Sequence, residues 1–515
     1  MYGSMLTNAL PDVKKQDIAA DVQALRASFA TGATKDLATR RSLLQQLNKM
    51  VKEGEPLLQE ALWKDLHKNP VESYMSEIAL VYQEIQDHLD HLEDWASPER
   101  VSTSIPNLPG FSYINRDPFG VCCIIGTWNY PVNLLLMPLV SCLAAGNCAL
   151  LRLPGDDTAM HTNNALIMLL DKYMDKRYVR YVYVGVPETK EMLSHQFDLI
   201  FATGGCFLGK IVARAAAEFL TPVVLELGGK SPTIVDDTAD LEIAARRITW
   251  GAFTNAGQTC VRPDYLLVDE KIGDQLVKLI EKNIVKFFGE DAQKSDSYGR
   301  VINRRSFDRL AKLLVNDKAR ITFGGKTDEK EHYVEPTLLN FKTDFAAFKG
   351  SAVMSDELFG PVLPIYYYNS GNLTSAIEFI NERPKPLALY LYSTRSEHKR
   401  RVAKETSSGS MVINDCMMQL ANAHLPFGGV GNSGMGAYHG KHSFDTFSHK
   451  KAVLYKYSAL DLQQRYQPYT AAGERVMRVV LYPFSRRFWN SLKFVGFAIV
   501  VAAIAIAIKQ STRRH

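Results

Sequence analysis

From position 120 onward, short apolar runs alternate with helix-length segments, and that rhythm restricts the chain more than any other feature. Residues 120–126, 148–153, 178–184, 199–202 and 223–227 are strand-like, and several are separated by stretches long enough for a helix. Parallel strands need a crossover of about a dozen residues and are buried on both faces, so the pattern predicts a parallel α/β sheet. A second series, 233–235, 265–268 and 411–414 with helices over 241–254 and 373–381, predicts a second α/β domain. Upstream, residues 18–95 repeat apolar side chains at helical spacing, as in Leu43, Leu44, Leu47, Met50 and Val51, with an interruption expected near Gly54 and Pro56.

Length and charge narrow the class. A chain of 515 residues with 46% hydrophobic and 22% charged residues can bury the cores of two or three domains, and this excludes disorder or a fibrous repeat. A net charge of +5 from 60 basic and 55 acidic residues is not a nucleic-acid-binding profile. Seven cysteines without a Cys-x-x-Cys spacing argue against disulfides and structural zinc, and so for a reducing compartment. The first residues, with Lys14 and Lys15, hold no apolar stretch of secretory length, so no signal peptide is expected. His88 and His91 lie one turn apart, but Asp87, Asp90, Glu93 and Asp94 surround them, and a solvated helix face is expected in place of a metal site.

Four segments carry candidate chemistry. Cys260 follows Asn255, Ala256, Gly257, Gln258 and Thr259 in a small-residue turn, where a cysteine is a candidate nucleophile; taken alone, an inert core cysteine is commoner. Glu226 stands in the apolar run 223–227, where desolvation would raise its pKa toward that of a general base; the alternative is a structural pair with Lys230. Asn129 follows a strand-like run and could aim its amide at an oxyanion, or simply occupy a turn beside Pro131. Gly204, Gly205, Cys206, Phe207, Leu208 and Gly209 join a strand to an alanine-rich helix, as a dinucleotide phosphate site or a plain tight turn would; Ile211 stands where a P-loop needs Ser or Thr.

Together, in this order, these segments resemble the aldehyde dehydrogenase superfamily over nearly the whole chain. The runs 221–232 around Glu226, 246–251 with Arg246, Arg247 and Trp250, 357–364 with Glu357, Phe359, Gly360 and Pro361, and 426–440 resemble its class 3 group, which includes membrane-bound fatty aldehyde dehydrogenases. The resemblance implies an NAD(P)-dependent oxidation of an aldehyde to an acid with Cys260 as nucleophile, Glu226 as general base, and Asn129 with the Cys260 amide as oxyanion donors, and no metal. It implies that 204–209 cover the pyrophosphate, that Glu357 binds the nicotinamide-side ribose, and that Phe359 packs beside the cofactor. Where the family usually has Lys-Pro-Ser-Glu, this chain has Arg152, Leu153, Pro154 and Gly155. Arginine keeps the charge and the carboxylate is lost, so NADP is expected to be accepted besides NAD.

The expected architecture is an α/β aldehyde dehydrogenase fold. It has a Rossmann-like cofactor domain over 13–225 with a bridging segment near 100–118, a catalytic domain over 226–420 and a bridging, oligomerising arm over 421–455. A membrane-proximal segment follows over 456–488, then a C-terminal membrane anchor over 489–509. Residues 494–508 carry no charge between Lys493 and Lys509, with Phe488 and Trp489 before them; this is short for a span, whose usual length is about 20 residues, and a buried core helix is the alternative. The resemblance implies a homodimer. A cytosolic catalytic body anchored at the endoplasmic reticulum or mitochondrial outer membrane would meet medium- and long-chain aliphatic aldehydes. An aromatic hydroxybenzaldehyde of quinone biosynthesis is the rival substrate, and a non-catalytic dinucleotide-binding protein or a cysteine hydrolase are rivals from other classes.

Overall fold

The computed structural model describes residues 16–155, 158–458 and 461–483, with 485, 487, 488 and 490. Of these, residues 16–97 and 116–450 form one compact unit, and 98–115 with the described residues from 451 form another.

The first unit holds a two-stranded sheet, Thr327–Asp328 with Tyr333–Val334, and two large ones. One runs in the order Gly434–Met435, Val223–Glu226, Leu199–Thr203, Val121–Ile125, Cys148–Pro154, Val179–Val184, all parallel except the first pair. Four of its strands, 121–125, 148–154, 199–203 and 223–226, are almost wholly buried, which is why they read as unbroken apolar runs. The other has seven strands, in the order Ile321–Phe323, Thr337–Asn340, Val362–Tyr368, Tyr265–Asp269, Pro232–Val235, Ala388–Tyr392, Ser410–Ile413, with only the first pair antiparallel. The strands at 337–340, 362–368 and 388–392 are additions to the sequence reading. Pro364 argues against an interior strand because it cannot donate to the ladder, yet it sits opposite Leu339 in a fully paired register.

Two helical expectations are corrected. Leu37–Leu66 is one continuous helix through Gly54 and Pro56. Gly54 is a packing contact: a Cβ there would lie 2.5 Å from Leu169 Cδ1, on the helix Met160–Tyr173. Pro56 is exposed, so the carbonyl it leaves unpaired can bond water. His88 is not on a solvated face. It lies on the stripe Val81, Ile85, His88, Leu92, fully buried, its ring edge-on to Trp95 at 5.1 Å and its Nδ1 on the Glu84 carbonyl at 2.8 Å. Asp90, Glu93 and Asp94 are exposed as expected, and no group of three ligating side chains occurs among the described residues.

The second unit pairs Glu99–Val101 antiparallel with 112–114 and carries the helix Ala471–Val480, capped by the Thr470 side chain accepting from Gly473 N. The expected anchor at 489–509 lies, apart from Asn490, outside the described residues, among which no helix is long and apolar enough to cross a membrane.

Candidate active site

The helix Leu241–Phe253 starts where the Asp240 side chain accepts from Ile243 N and buries Ala244, Ala245 and Ile248. It ends in a turn where Asn255, Ala256 and Gly257 all have positive φ, at 53°, 50° and 71°. Gly257 is required twice over, because a Cβ there would stand 2.4 Å from the Gly360 carbonyl oxygen. For Asn255 and Ala256 the conformation costs about 1–3 kcal/mol each, so the surroundings must impose it. They do so with hydrogen bonds. Asn255 N–H donates to Glu72 Oε1 at 2.8 Å, and its side-chain amide to the Asn129 carbonyl at 2.8 Å. Gln258 donates through Nε2 to the carbonyls of Asn255 and Arg300 and accepts from Ile302 N. The bond to Glu72 contributes about 1.5–3 kcal/mol and each neutral one about 0.5–1.5 kcal/mol, which together are the right size to offset the strain. The turn sets Cys260 against a cavity that opens to the surface beside Val71, Met75 and Met418.

Asn129 follows the strand Val121–Ile125 and is buried. Its side-chain amide donates to the Gln258 carbonyl at 3.0 Å. One N–H thus fixes the amide plane, and the second has no partner among the described residues. Its carbonyl accepts from Lys68 Nζ at 3.1 Å. Lys68 in turn meets Glu77 at 2.7 Å, and Glu77 Oε2 accepts from Val132 and Asn133 N–H, closing the start of the helix Asn133–Ala144. Burial pushes the Glu77 carboxyl up, and Lys68 pulls it back.

Glu226 ends its strand opposite Thr203 and Gly434. It is 3% exposed, and neither carboxylate oxygen has a partner among the described residues. Burial alone pushes its pKa well above the ordinary value. The alternative pairing with Lys230 is not formed: Lys230 bonds Asp264, which also takes Arg262 and Leu358 N–H. Glu357 lies against Gly228, where a Cβ would be 2.1 Å from its Oε2. Its pKa is pushed up to about 8 by burial and by Asp264, against a hydrogen bond from Gly229 N–H, and its Oε1 is unpartnered. Cys260 is neighbour to both carboxyls. Burial first, then Glu357 and Glu226, push its thiol up to about 12. Phe359, at φ 46°, sets its ring edge-on to Trp128 at 5.4 Å.

Gly204 follows the strand Leu199–Thr203, and Gly205 begins the helix Cys206–Ala217 with no side-chain cap. Its first N–H groups are therefore open to an anion. Gly209 lets the helix approach the sheet: a Cβ would lie 2.7 Å from Leu227 Cδ1. Phe207 is 78% exposed, and the Cys206 thiol donates to the Asn432 carbonyl. Arg152, opposite Ile125 in the same sheet, donates to Thr189 Oγ1 at 3.2 Å and the Val184 carbonyl at 2.9 Å. Ile125, Arg152, Thr203 and Glu226 all lie at the carboxyl ends of the parallel strands, where crevices in such sheets take ligands.

A cavity of about 630 Å³ reaches Cys260. Leu134, Trp250, Phe287, Phe288, Met417 and Leu420 make its wall mainly apolar. Glu72 and His439 also line it, and burial pushes His439 down to about 4, so it is neutral near pH 7. The sequence reading missed Lys68, Glu72, Glu77 and His439, because no local pattern ties them to a turn nearly 200 residues away.

Comparison with known proteins matches residues 5–453 to the aldehyde dehydrogenase family. The chain is 44% identical over 444 residues to 4,4'-diaponeurosporen-aldehyde dehydrogenase of Staphylococcus aureus, covering 86% of this chain and 95% of the relative. It is 45% identical over 435 residues to the dimeric NADP-preferring aldehyde dehydrogenase of Rattus norvegicus, covering 84% and 94%, and 43% identical over 459 residues to human aldehyde dehydrogenase family 3 member B1, covering 89% and 96%. The solved substrate-bound state of Staphylococcus aureus AldH superposes with a TM-score of 0.86 at 42% identity, covering 90% of this chain and 99% of that one.

Proposed function

The chain belongs to the aldehyde dehydrogenase family, in its class 3 group, and on that premise we propose that it oxidises medium- and long-chain aliphatic aldehydes with Cys260 as nucleophile and Glu226 as general base. The observation that carries the substrate class is the apolar cavity of about 630 Å³ against Cys260, a volume within the range of small-molecule pockets. A relative named for a diaponeurosporen aldehyde supports the same reading.

The residues fit a dinucleotide. The uncapped helix start at Gly205 and Cys206 suits the pyrophosphate, the unpartnered Glu357 Oε1 suits a ribose hydroxyl, and Phe359, Phe207 and Arg152 complete the set. NAD supplies the hydride acceptor when bound, and NADP is proposed to serve as well. Cys260, as thiolate, adds to the carbonyl carbon. The free Asn129 N–H and the Cys260 amide hold the resulting oxyanion. Once hydride has left that carbon, Cys260 carries a thioester. Glu226 takes a proton from water, the hydroxide adds to the thioester carbon, and the carbon–sulfur bond breaks to release the acid and the thiolate. A carboxyl with so raised a pKa is a strong base once ionised.

The cofactor is assigned to the six-stranded sheet and the nucleophile to the seven-stranded side, and the cofactor domain over 13–225, the catalytic domain over 226–420 and the arm over 421–455 are proposed on that basis. The uncharged run 494–508 between Lys493 and Lys509 supports a membrane anchor on a cytosolic body, at the endoplasmic reticulum or mitochondrial outer membrane. A relative named dimeric supports a homodimer.

One observation favours a hydroxybenzaldehyde as the second substrate reading: Glu72 puts a carboxylate into the apolar cavity, where it could accept a phenol O–H. The test is NADH formation by the detergent-solubilised full chain with hexadecanal, hexanal and 4-hydroxybenzaldehyde, with Cys260→Ala alongside. Preference for hexadecanal supports the aliphatic reading, and preference for 4-hydroxybenzaldehyde replaces it. Turnover without dinucleotide, or in the variant, would overturn the mechanism.

A further inference from the structure

Three charged side chains of the segment 68–77 each hold a backbone group near the nucleophile. Lys68 donates to the Asn129 carbonyl, Glu77 accepts from Val132 and Asn133 N–H, and Glu72 Oε1 accepts from Asn255 N–H at 2.8 Å. The first two belong to a buried ion pair that is satisfied throughout. Glu72 is different. It sits in the four-residue helix Pro70–Ser73, lines the substrate cavity, and has no partner for its second oxygen among the described residues. Lys68, Glu77 and Tyr130 are the charged and titratable groups around it. Its carboxylate is set in an apolar cavity, an unfavourable place for a charge unless it has a task. The only bond it makes to the nucleophile's turn is to Asn255, the first of three successive left-handed residues and five positions before Cys260. Asn255 also carries the link to Asn129.

We propose that Glu72 is a positioning residue, whose grip on the Asn255 amide from the cavity wall holds the left-handed turn and thereby aims the Cys260 thiol and the Asn129 amide at the same carbonyl. The proposal rests on Cys260 being the nucleophile. Glu72→Gln keeps an acceptor at this position; Glu72→Met keeps the length and removes it, and Glu72→Ala removes both.

The test uses the full chain with saturating NAD and hexanal, which offers no hydrogen-bond donor to Glu72. Glu72→Met and Glu72→Ala are expected to lose about 10- to 100-fold in kcat, the scale of a small misplacement of reacting groups, with KM within about 2-fold of the parent. Iodoacetamide alkylation of Cys260 should slow in parallel, while the thermal unfolding midpoint stays with the parent's. Glu72→Gln should restore at least about half of kcat. Parental kcat in both acceptor-free variants, a change in KM alone, or a Gln variant as impaired as the Met variant overturns the proposal. Cys260→Ala separates the two ideas: if it still turns over, the nucleophile reading has failed, whereas an inactive Cys260→Ala beside a fully active Glu72→Met refutes the role of Glu72 alone.

Discussion

Lys68 and Glu77 meet at 2.7 Å with neither side chain reaching solvent, and the same ammonium donates to the backbone carbonyl of Asn129. The ion pair therefore supports the residue assigned to the oxyanion. Removing one partner strands a charge in the interior, and Glu77→Ala or Lys68→Met should each cost about 3–5 kcal/mol of stability. The pair replacement Lys68→Met with Glu77→Met should cost less than either single change, since no charge is then left behind. Chemical denaturation of the three variants checks this, and single variants as stable as the parent would refute it.

Among the described residues Glu226 has no hydrogen-bond partner and no neighbouring cation, and the task proposed for it is proton transfer. Glu226→Gln should leave hydride loss intact and stall thioester hydrolysis. Rapid mixing with NAD and hexanal is expected to show a burst of about one NADH per site, followed by turnover slowed about 100- to 10,000-fold. A variant that slows the first turnover as much as later ones would assign Glu226 to another step.

The Cys260 thiol is pushed up to about 12 by burial and two carboxyls. Its reactive form is the thiolate, so below that pKa the reactive fraction grows about tenfold per pH unit. Iodoacetamide alkylation of the cofactor-free enzyme should therefore keep rising from pH 7 to 10. A half-maximal rate near about pH 8.5, levelling off by about pH 9.5, would mean that the thiol has an ordinary pKa.

Leu420 lies on the cavity wall at the end of a short turn, half-buried. Leu420→Trp should narrow the space for a long chain while leaving Cys260 untouched. The KM for hexadecanal is expected to rise about 10-fold or more, with hexanal changed far less. Equal effects on both substrates would place the alkyl chain elsewhere.

The proposal that NADP serves as well rests on Gly155, which stands after the strand Cys148–Pro154 where the family usually has glutamate. Titration of both dinucleotides should give dissociation constants within about 100-fold of each other, a gap of roughly 3 kcal/mol. A wider gap in favour of NAD would remove NADP from the proposal.

Much of the frame was readable along the chain. Strands buried on both faces must be apolar throughout, so 121–125, 148–154, 199–203 and 223–226 announced themselves, and a lone Glu226 or a glycine-rich link after Thr203 stood out against them. Where the sheet departs from that signature, reading failed. Val362–Tyr368 contains a proline and three tyrosines, and its strand character comes from neighbours on both sides. His88 was misplaced because it lies on the apolar stripe with Val81, Ile85 and Leu92, whereas Asp90, Glu93 and Asp94 stand on the exposed face of the same helix.

The sequence by itself determined the family, the order of the chemical groups, and the local geometry that glycine requires at Gly257, because each is written in residues close together or in unbroken apolar runs. Only the tertiary structure decided that Lys230 bonds Asp264 and leaves Glu226 alone, that Glu72 and Lys68 reach the nucleophile's turn, and that an apolar cavity meets Cys260. Those relations join residues far apart in the chain, and no local preference encodes a contact that exists only once both sheets have packed.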